Sequence, residues 1–482
     1  MKYSIIGGEI LKSDEYINVI NPSTEEVIEK VTIANKEKTR EAIDLAYDSF
    51  KILSNMPLKD RCKILIKASE TIERRKEEIA RLLALEAGKP IKDARIEVIR
   101  TINLFKIAAE EVRFVLEGKI PRVDAYEYPP GNENRIVMEI REPIGVVGAI
   151  LPFNFPVNSF AHKVAPNIAT GNTVVVKPSS STPLSAIELA SILYECGLPK
   201  GSLSVVVGPS SVVGEEIIEN KKISGITFTG STNTGLYIAS KAAARGKRFM
   251  MEMGGSDPVI VLDDVDLSKV VPVTVRARFE YAGQNCNASK RFFVHEKIYE
   301  KFIEFYKENT SKIKVGDPLS EYTDMGPLIS SEALKQMQEY VNDALNKGSK
   351  IIFGGKRLYD KGFFFSPTII IDTNLDMRCM REEVFGPIAP IARFSNIEEA
   401  IEFANSVDYG LQAAIFTSDL KKALKIAKEI KSGSVMINDS TRLRWDALPF
   451  GGVKLSGLGG REGVRTTIIN MTEPKIISIN LA

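Results

Sequence analysis

Cys286, Glu252 and Asn154 are the side chains of this 482-residue chain whose types and settings suit covalent chemistry on a carbonyl group. Cys286 sits in Gly283-Gln284-Asn285-Cys286-Asn287-Ala288-Ser289, among small and polar neighbours in a stretch that reads as a turn entering a strand. A thiolate there is a nucleophile, although an isolated cysteine is more often an inert buried side chain, and Cys62, Cys196 and Cys379 fit that plainer description. Glu252 lies in Met251-Glu252-Met253-Gly254-Gly255, at the end of an apolar strand. Removal from water raises a carboxyl pKa and suits a general base; the alternative is a strand-end glutamate that reaches solvent. Gly254-Gly255 marks a close backbone approach or a hinge. Asn154, in Leu151-Pro152-Phe153-Asn154-Phe155-Pro156, could donate its amide to an oxyanion or serve only as a turn residue beside proline. Lys177 closes the run Val174-Val175-Val176-Lys177 and could bind a ribose or phosphate, or be a solvated strand end.

Composition removes other chemistries. Lys and Arg number 64 against 62 Asp and Glu, a net charge of +2, which argues against a nucleic-acid polycation or an acidic tail. The four cysteines are far apart with no C-x-x-C, which excludes a disulfide framework, a zinc ribbon and an iron–sulfur run. His162 and His295 are the only histidines, too few for a histidine-rich metal site, and no metal is expected. No apolar run approaches the ~20 residues that span a bilayer, and no apolar core of a leader precedes Glu9. The expectation is a cytosolic protein with no membrane and no nucleic-acid partner.

The elements that must carry these residues are legible in the periodicity. A helix fits the spacing of Ile43, Ala46, Tyr47 and Phe50; a long one fits Leu58 to Ala87, ended by Gly88 and Pro90; another fits Lys92 to Leu116. Arg135 to Arg141 alternates like a hairpin strand. From Val146, β-branched runs at 146–150, 174–177, 204–207 and 225–228 alternate with helical stretches, which predicts a doubly wound parallel sheet. Such sheets bind ligands at the carboxyl ends of their strands. A second α/β series follows from Pro258, with strands at 291–294, 368–371, 390–394, 413–416 and 433–437. The reading is two α/β domains that meet at a cleft. No G-x-G-x-x-G follows a strand: the cluster Gly457–Gly463 has the wrong spacing, and no Walker A motif is present.

Seven motifs together resemble the aldehyde dehydrogenase superfamily in order and spacing. They are Phe153-Asn154-Phe155-Pro156, Val176-Lys177-Pro178-Ser179, Phe228-Thr229-Gly230-Ser231-Thr232, Met251-Glu252-Met253-Gly254-Gly255, Gly283-Gln284-Asn285-Cys286, Glu382-Glu383-Val384-Phe385-Gly386-Pro387 and Pro449-Phe450-Gly451-Gly452. The resemblance runs from about Ile20 to the C-terminus and is nearest to lactaldehyde and glyceraldehyde (non-phosphorylating glyceraldehyde-3-phosphate-like) dehydrogenases. It implies a variant Rossmann cofactor domain (1–119 and 143–254), an α/β catalytic domain (255–437), a substrate-rim loop returning to the cofactor domain (438–469) and a small β oligomerisation arm (120–142 and 470–482). A homo-oligomer, dimer or tetramer, is expected. It also implies Cys286 as nucleophile, Asn154 and the Cys286 N–H as oxyanion donors, and Glu252 as the base that hydrolyses a thioester. Lys177, Gly230 and Ser231 would hold the dinucleotide, Glu383 the nicotinamide ribose, and Phe385 would pack near the ring.

Many relatives that prefer NAD carry an acid three positions after the lysine, where it binds both ribose hydroxyls. Here that residue is Ser180, between Ser179 and Ser181. Removing a carboxylate removes repulsion against a 2′-phosphate, so NADP is favoured with NAD possible. The expected substrate wall is polar: Phe155, His162, Asn285, Asn287, Phe450 and the loop Asn438–Asp446, with Arg442 and Arg444 free to hold a hydroxyl-rich or anionic aldehyde or to pair with Asp439 or Asp446. A small hydroxyaldehyde such as lactaldehyde or glyceraldehyde is favoured. Succinate semialdehyde and glyceraldehyde 3-phosphate stay open, although phosphate-specific relatives tend to carry an arginine where Asn285 stands and a tyrosine where Phe155 stands. Transfer to coenzyme A is disfavoured because Glu252 is present. A non-catalytic binding protein on this scaffold is disfavoured because Cys286 and Asn154 are intact. A two-domain solute-binding protein is disfavoured by the nucleophile and the missing leader.

Overall fold

The structure is a computed structural model that describes residues 2–482. Two open sheets dominate it. The first has eight strands in the order Glu9–Ile10, Ile5–Ile6, Leu203–Val205, Thr173–Lys177, Val146–Ile150, Ile223–Thr229, Arg248–Glu252 and Gly457–Leu458. Its five middle strands are parallel, and the two flanking pairings are antiparallel. The chain starts the parallel set at Val146–Ile150 and builds outward on both sides, so the strand order reverses beside that strand. That reversal leaves a crevice at the carboxyl ends, the usual place for a ligand in an open α/β sheet. Strands Val146–Ile150 and Thr173–Lys177 are buried at every residue, as continuous β-branched runs covered on both faces require.

The second sheet has seven strands: Lys350–Phe353, Thr368–Ile371, Ile388–Phe394, Arg291–His295, Pro258–Val261, Gln412–Phe416 and Ser434–Ile437, with only the first pair antiparallel. Each sheet has its own large apolar core, one built on Phe105, Phe160 and Leu189, the other on Phe292, Phe302 and Ile391.

Two features depart from the periodicity. The helix expected over 58–87 is two helices, Leu58–Arg74 and Lys76–Ala87. Arg75 leaves helical geometry at φ −102°, ψ 15° and turns its guanidinium to Glu78 and Glu188, both within 2.7 Å. Strand Arg135–Pro143 pairs antiparallel not with a neighbour in sequence but with Thr472–Asn480, in register from Pro143–Thr472 to Arg135–Asn480. That two-stranded ribbon stands apart from both large sheets. No helix of the described residues is long and apolar enough to cross a membrane.

Candidate active site

Between the sheets lies a cavity of about 670 Å³. One end is walled by Lys177, Ser179, Ser180, Ser181, Gly230 and Ser231, the middle by Glu383 and Phe385, and the other end by Asn154, Phe155, Glu252, Cys286, Asn287, Arg442, Arg444 and Phe450. Residues 120 or more positions apart thus share one wall because the loops at the carboxyl ends of the first sheet face the entry turn of the second.

Cys286 is presented by a strained turn. Helix Leu267–Phe279 ends, and Tyr281 and Ala282 then take left-handed backbone at φ 51° and 53°. Side chains pay for that region in steric crowding and are held there only by their surroundings. Tyr281 is anchored by its hydroxyl, which donates to the Ala87 carbonyl at 2.7 Å. Burial pushes the Cys286 thiol up to about 11; Lys290 draws it down, Glu252 pushes it up, and Arg442 and Arg444 draw it down more weakly. Lys290 is fully buried, donates to the Cys286 carbonyl and lies 3.4 Å from the Glu383 carboxylate.

Asn154 follows strand Val146–Ile150 directly, in the connection to helix Pro156–Thr170. Its Nδ2 donates to the Gln284 carbonyl at 2.8 Å, two residues before the thiol, which leaves one amide hydrogen for a further acceptor.

Glu252 ends strand Arg248–Glu252 and is 3% exposed, and its Oε1 has no hydrogen-bond partner. Burial holds this carboxyl well above the ordinary carboxylate range, and Glu462 adds to the rise, while Arg444, Lys163 and Arg461 oppose it. Gly451, at φ +152°, lets the carboxylate pack on bare backbone: a Cβ there would lie 2.3 Å from Glu252 Oε1. Glu462 is displaced the opposite way. Lys163 at 2.6 Å and Arg444 at 2.9 Å hold it below the ordinary range against the cost of burial. Two neighbouring carboxyls with pKa values driven apart are the pattern of a divided acid–base role. Lys163 and Glu462 were not among the residues singled out from the sequence. The available signal was a lysine inside helix Pro156–Thr170, whose fifteen residues are all buried; a lysine is fully buried only when paired.

The substrate wall differs from expectation at two residues. Asn285 is fully buried, donates to the Glu280 carbonyl at 3.0 Å and does not reach the wall. His162 also stands off the wall: its Nε2 meets Asp446 Oδ1 at 3.0 Å and Arg444 at 2.9 Å, so it backs Arg444. The helix that carries His162 turns that face toward the rim loop. Asn287 does line the wall, tied to Gln412 at 2.7 Å and the Thr441 carbonyl at 3.0 Å. Each arginine has a carboxylate. Arg442 pairs with Glu280 at 3.1 Å and also donates to Asn287, while Arg444 pairs with Glu462 and stacks on Phe450 at 3.9 Å. Arg442 has neither Asp439 nor Asp446 as its partner; Asp446 lies 3.6 Å from Arg444. Arg442 Nε is buried without a partner, and Arg444 Nε makes no hydrogen bond and has only the 3.6 Å ion pair with Asp446.

The far end fits a dinucleotide. Lys177 is 5% exposed, and its ammonium donates to the Pro178 carbonyl at 3.4 Å; burial draws it down to about 8. An ammonium so short of partners is suited to an incoming hydroxyl or phosphate. Ser231 is the N-cap of helix Thr232–Ala243, yet its hydroxyl meets Thr234 Oγ1 at 2.8 Å and caps no backbone N–H, so the free N–H groups of the first turn stay open to an anion. No carboxylate lies on the wall around Ser180, which is itself exposed. Glu383 accepts from the Gly255 N–H at 3.0 Å, and Phe385 packs edge-on against Phe153 at 5.8 Å.

Comparison with known proteins agrees with this geometry. The sequence model of the aldehyde dehydrogenase family matches residues 10–477. Lactaldehyde dehydrogenase of Methanocaldococcus jannaschii is 44% identical over 97% of this chain and 98% of its own length. The 3-sulfolactaldehyde dehydrogenase of Priestia aryabhattai is 40% identical over 99% of this chain and 97% of its own. Among solved structures, glyceraldehyde-3-phosphate dehydrogenase of Methanocaldococcus jannaschii complexed with NADP superposes with a TM-score of 0.91 at 43% identity, covering 97% of this chain and all of its own. A match over nearly the whole length, on the same fold, makes this chain a member of the aldehyde dehydrogenase family.

Proposed function

We infer that this enzyme oxidises a small polar 2-hydroxyaldehyde, such as lactaldehyde or glyceraldehyde, to its carboxylic acid, with NADP preferred and NAD accepted. The observation that carries the reading is the single cavity that joins Cys286, Asn154 and Glu252 to Lys177 and Ser180. Cys286 gives its proton to solvent water, and its sulfur bonds to the aldehyde carbon, the carbonyl π pair moving onto oxygen as the negative charge. The free Asn154 amide hydrogen and the Cys286 N–H stabilise that oxyanion; one such donor is typically worth ~3–4 kcal/mol. The nicotinamide, when bound, accepts the hydride that leaves the same carbon. Glu252 then takes a proton from water, the resulting hydroxide attacks the thioester carbon, and the acid departs as the Cys286 sulfur is released. Splitting the oxidation into acylation and hydrolysis replaces one difficult step with two easier ones. Lys163 and Arg444 keep Glu462 ionised beside Glu252, and that negative charge helps make Glu252 a stronger base.

The three named relatives support the substrate class. Lactaldehyde, 3-sulfolactaldehyde and glyceraldehyde 3-phosphate share a 2-hydroxypropanal core and differ at the third carbon. The carboxylates already on Arg442 and Arg444 favour an uncharged third carbon. The unpartnered Arg442 Nε favours a second reading, an aldehyde with a distal sulfonate, phosphate or carboxylate, succinate semialdehyde included. The test is kcat/KM for lactaldehyde, glyceraldehyde, 3-sulfolactaldehyde, glyceraldehyde 3-phosphate and succinate semialdehyde, each with NADP and NAD. A lead of tenfold or more for an anionic aldehyde overturns the first reading. Two finer expectations complete the picture. The ribbon of Arg135–Pro143 and Thr472–Asn480 leaves Ile476, Ile479 and Leu481 exposed, which suits pairing with another copy in a dimer or tetramer. A nucleophilic thiol is best kept reduced in the cytosol.

A further inference from the structure

Lys89 and Glu97 form a buried ion pair that the chemistry above leaves unused. Lys89 follows Gly88, the left-handed cap of helix Lys76–Ala87, and Glu97 lies two turns into helix Ile91–Val115. Both side chains are sealed, at 1% and 0% exposure. Neither lines the cavity, so neither touches the substrate.

Their contacts converge on the segment that carries Asn154. The Lys89 ammonium donates to Glu97 Oε2 and, at 2.7 Å, to the main-chain carbonyl of Asn154. It also lies 3.6 Å from the Phe155 ring centre and 4.7 Å from that of Tyr281, close enough for cation–π attraction in a site without water. The other Glu97 oxygen, Oε1, accepts from the N–H groups of Val157 and Asn158, both at 3.0 Å. Those belong to the first turn of helix Pro156–Thr170, whose own N-cap, Phe155, has no side chain able to cap it. A carboxylate from a different helix does the capping.

The short link between strand Val146–Ile150 and this helix is therefore pinned twice, at the Asn154 carbonyl and at the first helical turn. Its one functional amide points at the turn of the nucleophile, where Nδ2 meets the Gln284 carbonyl at 2.8 Å. Tyr281, on the nucleophile's side, is held to the Ala87 carbonyl, two residues before Lys89. The ammonium thus stands between the two halves of the oxyanion site and touches the backbone of one and a ring of the other.

We propose that the Lys89–Glu97 pair is a positioning device for the oxyanion site: it fixes the Asn154 amide relative to the Cys286 N–H and acts on acyl transfer only through Asn154. The proposal rests on the reading of Asn154 as an oxyanion donor. A donor contributes most when it is preorganised at the place where charge develops, so loosening the link should cost rate and spare the thiol.

The test is a double-mutant cycle on acylation of Cys286 by 4-nitrophenyl acetate, which forms the same kind of tetrahedral oxyanion without any cofactor. The variants are Asn154→Ala, the pair Lys89→Met/Glu97→Gln, and all three together. The pair variant removes both charges at once, and the new glutamine keeps an oxygen for the Val157 and Asn158 N–H groups. Asn154→Ala is expected to slow acylation by about 10²–10³-fold. The pair variant should slow it by about tenfold or more, and by less than about twofold when Asn154 is already alanine. Alkylation of Cys286 by iodoacetamide, which builds no oxyanion, should stay within about twofold of wild type throughout. Equal losses from the pair substitution with and without Asn154, or a matching loss in alkylation, overturn the positioning role and leave the assignment of Asn154 standing. No loss from Asn154→Ala itself overturns that assignment and this proposal with it. Should the pair variant fail to fold, Lys89→Arg carries the same cycle, because a planar guanidinium cannot reproduce both the carbonyl bond and the ring contact. Its expected loss is about threefold or more with Asn154 present and none without it, and any other pattern overturns the proposal.

Discussion

At the residue scale burial displaces both the thiol and the base upward, Cys286 to about 11 and Glu252 well above the ordinary carboxylate range. Alkylation of Cys286 should therefore accelerate steadily from neutral pH toward about 11; a plateau near pH 8 in iodoacetamide kinetics would contradict it. Cys286→Ala should abolish oxidation. Glu252→Gln should release one equivalent of reduced cofactor in a rapid-mixing experiment and then slow by about 10²-fold or more, and full steady turnover in either variant would remove the assigned role. Lys177 titrates in an accessible window. Burial lowers its ammonium to about 8, so it is cationic below that pH and neutral above it. The NADP dissociation constant should hold steady to about pH 8 and then rise by about tenfold per unit; equilibrium titration that finds it flat to pH 10 removes Lys177 as the cation. Ser180→Glu should cost NADP about 10–100-fold in kcat/KM and NAD much less. These residues stand in contiguous motifs, which is why they were legible in the sequence. Lys163, Glu462, Lys89, Glu97 and Lys290 were not: their partners lie elsewhere in the chain, and a buried lysine is written like an exposed one. Asn285 misled for a related reason, since neighbouring the nucleophile does not say which way a side chain turns.

At the element scale the site depends on carboxylates that cap helices from outside. Glu97 serves helix Pro156–Thr170, and Glu86 serves helix Leu184–Glu195, accepting from Leu184 at 2.8 Å and Ser185 at 3.0 Å. Glu86→Ala should leave two buried donors unmet and destabilise the protein by about 1–3 kcal/mol, read by chemical denaturation. The pH response has a definite sign. Burial raises Glu86 to about 7, above its value in an unfolded chain. Its contribution to stability is therefore full below about pH 4.3 and lost as pH rises through about 7. Glu86→Gln should remove that slope, and an unchanged pH profile would show that Glu86 does not titrate in this window. Caps of this kind leave no local signature, because the capping residue is some 60 to 100 positions away in sequence. Periodicity did locate most strands and most helices to within a few residues, but not strand Lys350–Phe353. It missed the break at Arg75, where ion pairs formed only in the folded state override a helical pattern that continues on both sides.

At the scale of the whole molecule, two sheets share one cavity and a ribbon projects from them. Deleting residues 472–482 should convert the proposed oligomer to monomer in sedimentation velocity; an unchanged mass would place the contact elsewhere. The layered α/β architecture was readable from the alternation of β-branched runs with helices. The pairing of Arg135–Pro143 with Thr472–Asn480 was not readable from either segment's own residues, since strand partners so distant leave no local mark; only the family resemblance grouped 120–142 with 470–482 as one arm. That return of the chain reaches the chemistry as well. Strand Gly457–Leu458 closes the first sheet beside Arg248–Glu252, aligning Gly457 with Glu252, and Glu462 follows it. During synthesis, Asn154, Glu252 and Cys286 leave the ribosome long before the residues that surround the base. A nascent chain therefore carries a cysteine whose water-activating partner is not yet enclosed, and the site is complete only once Phe450 and Glu462 have been made.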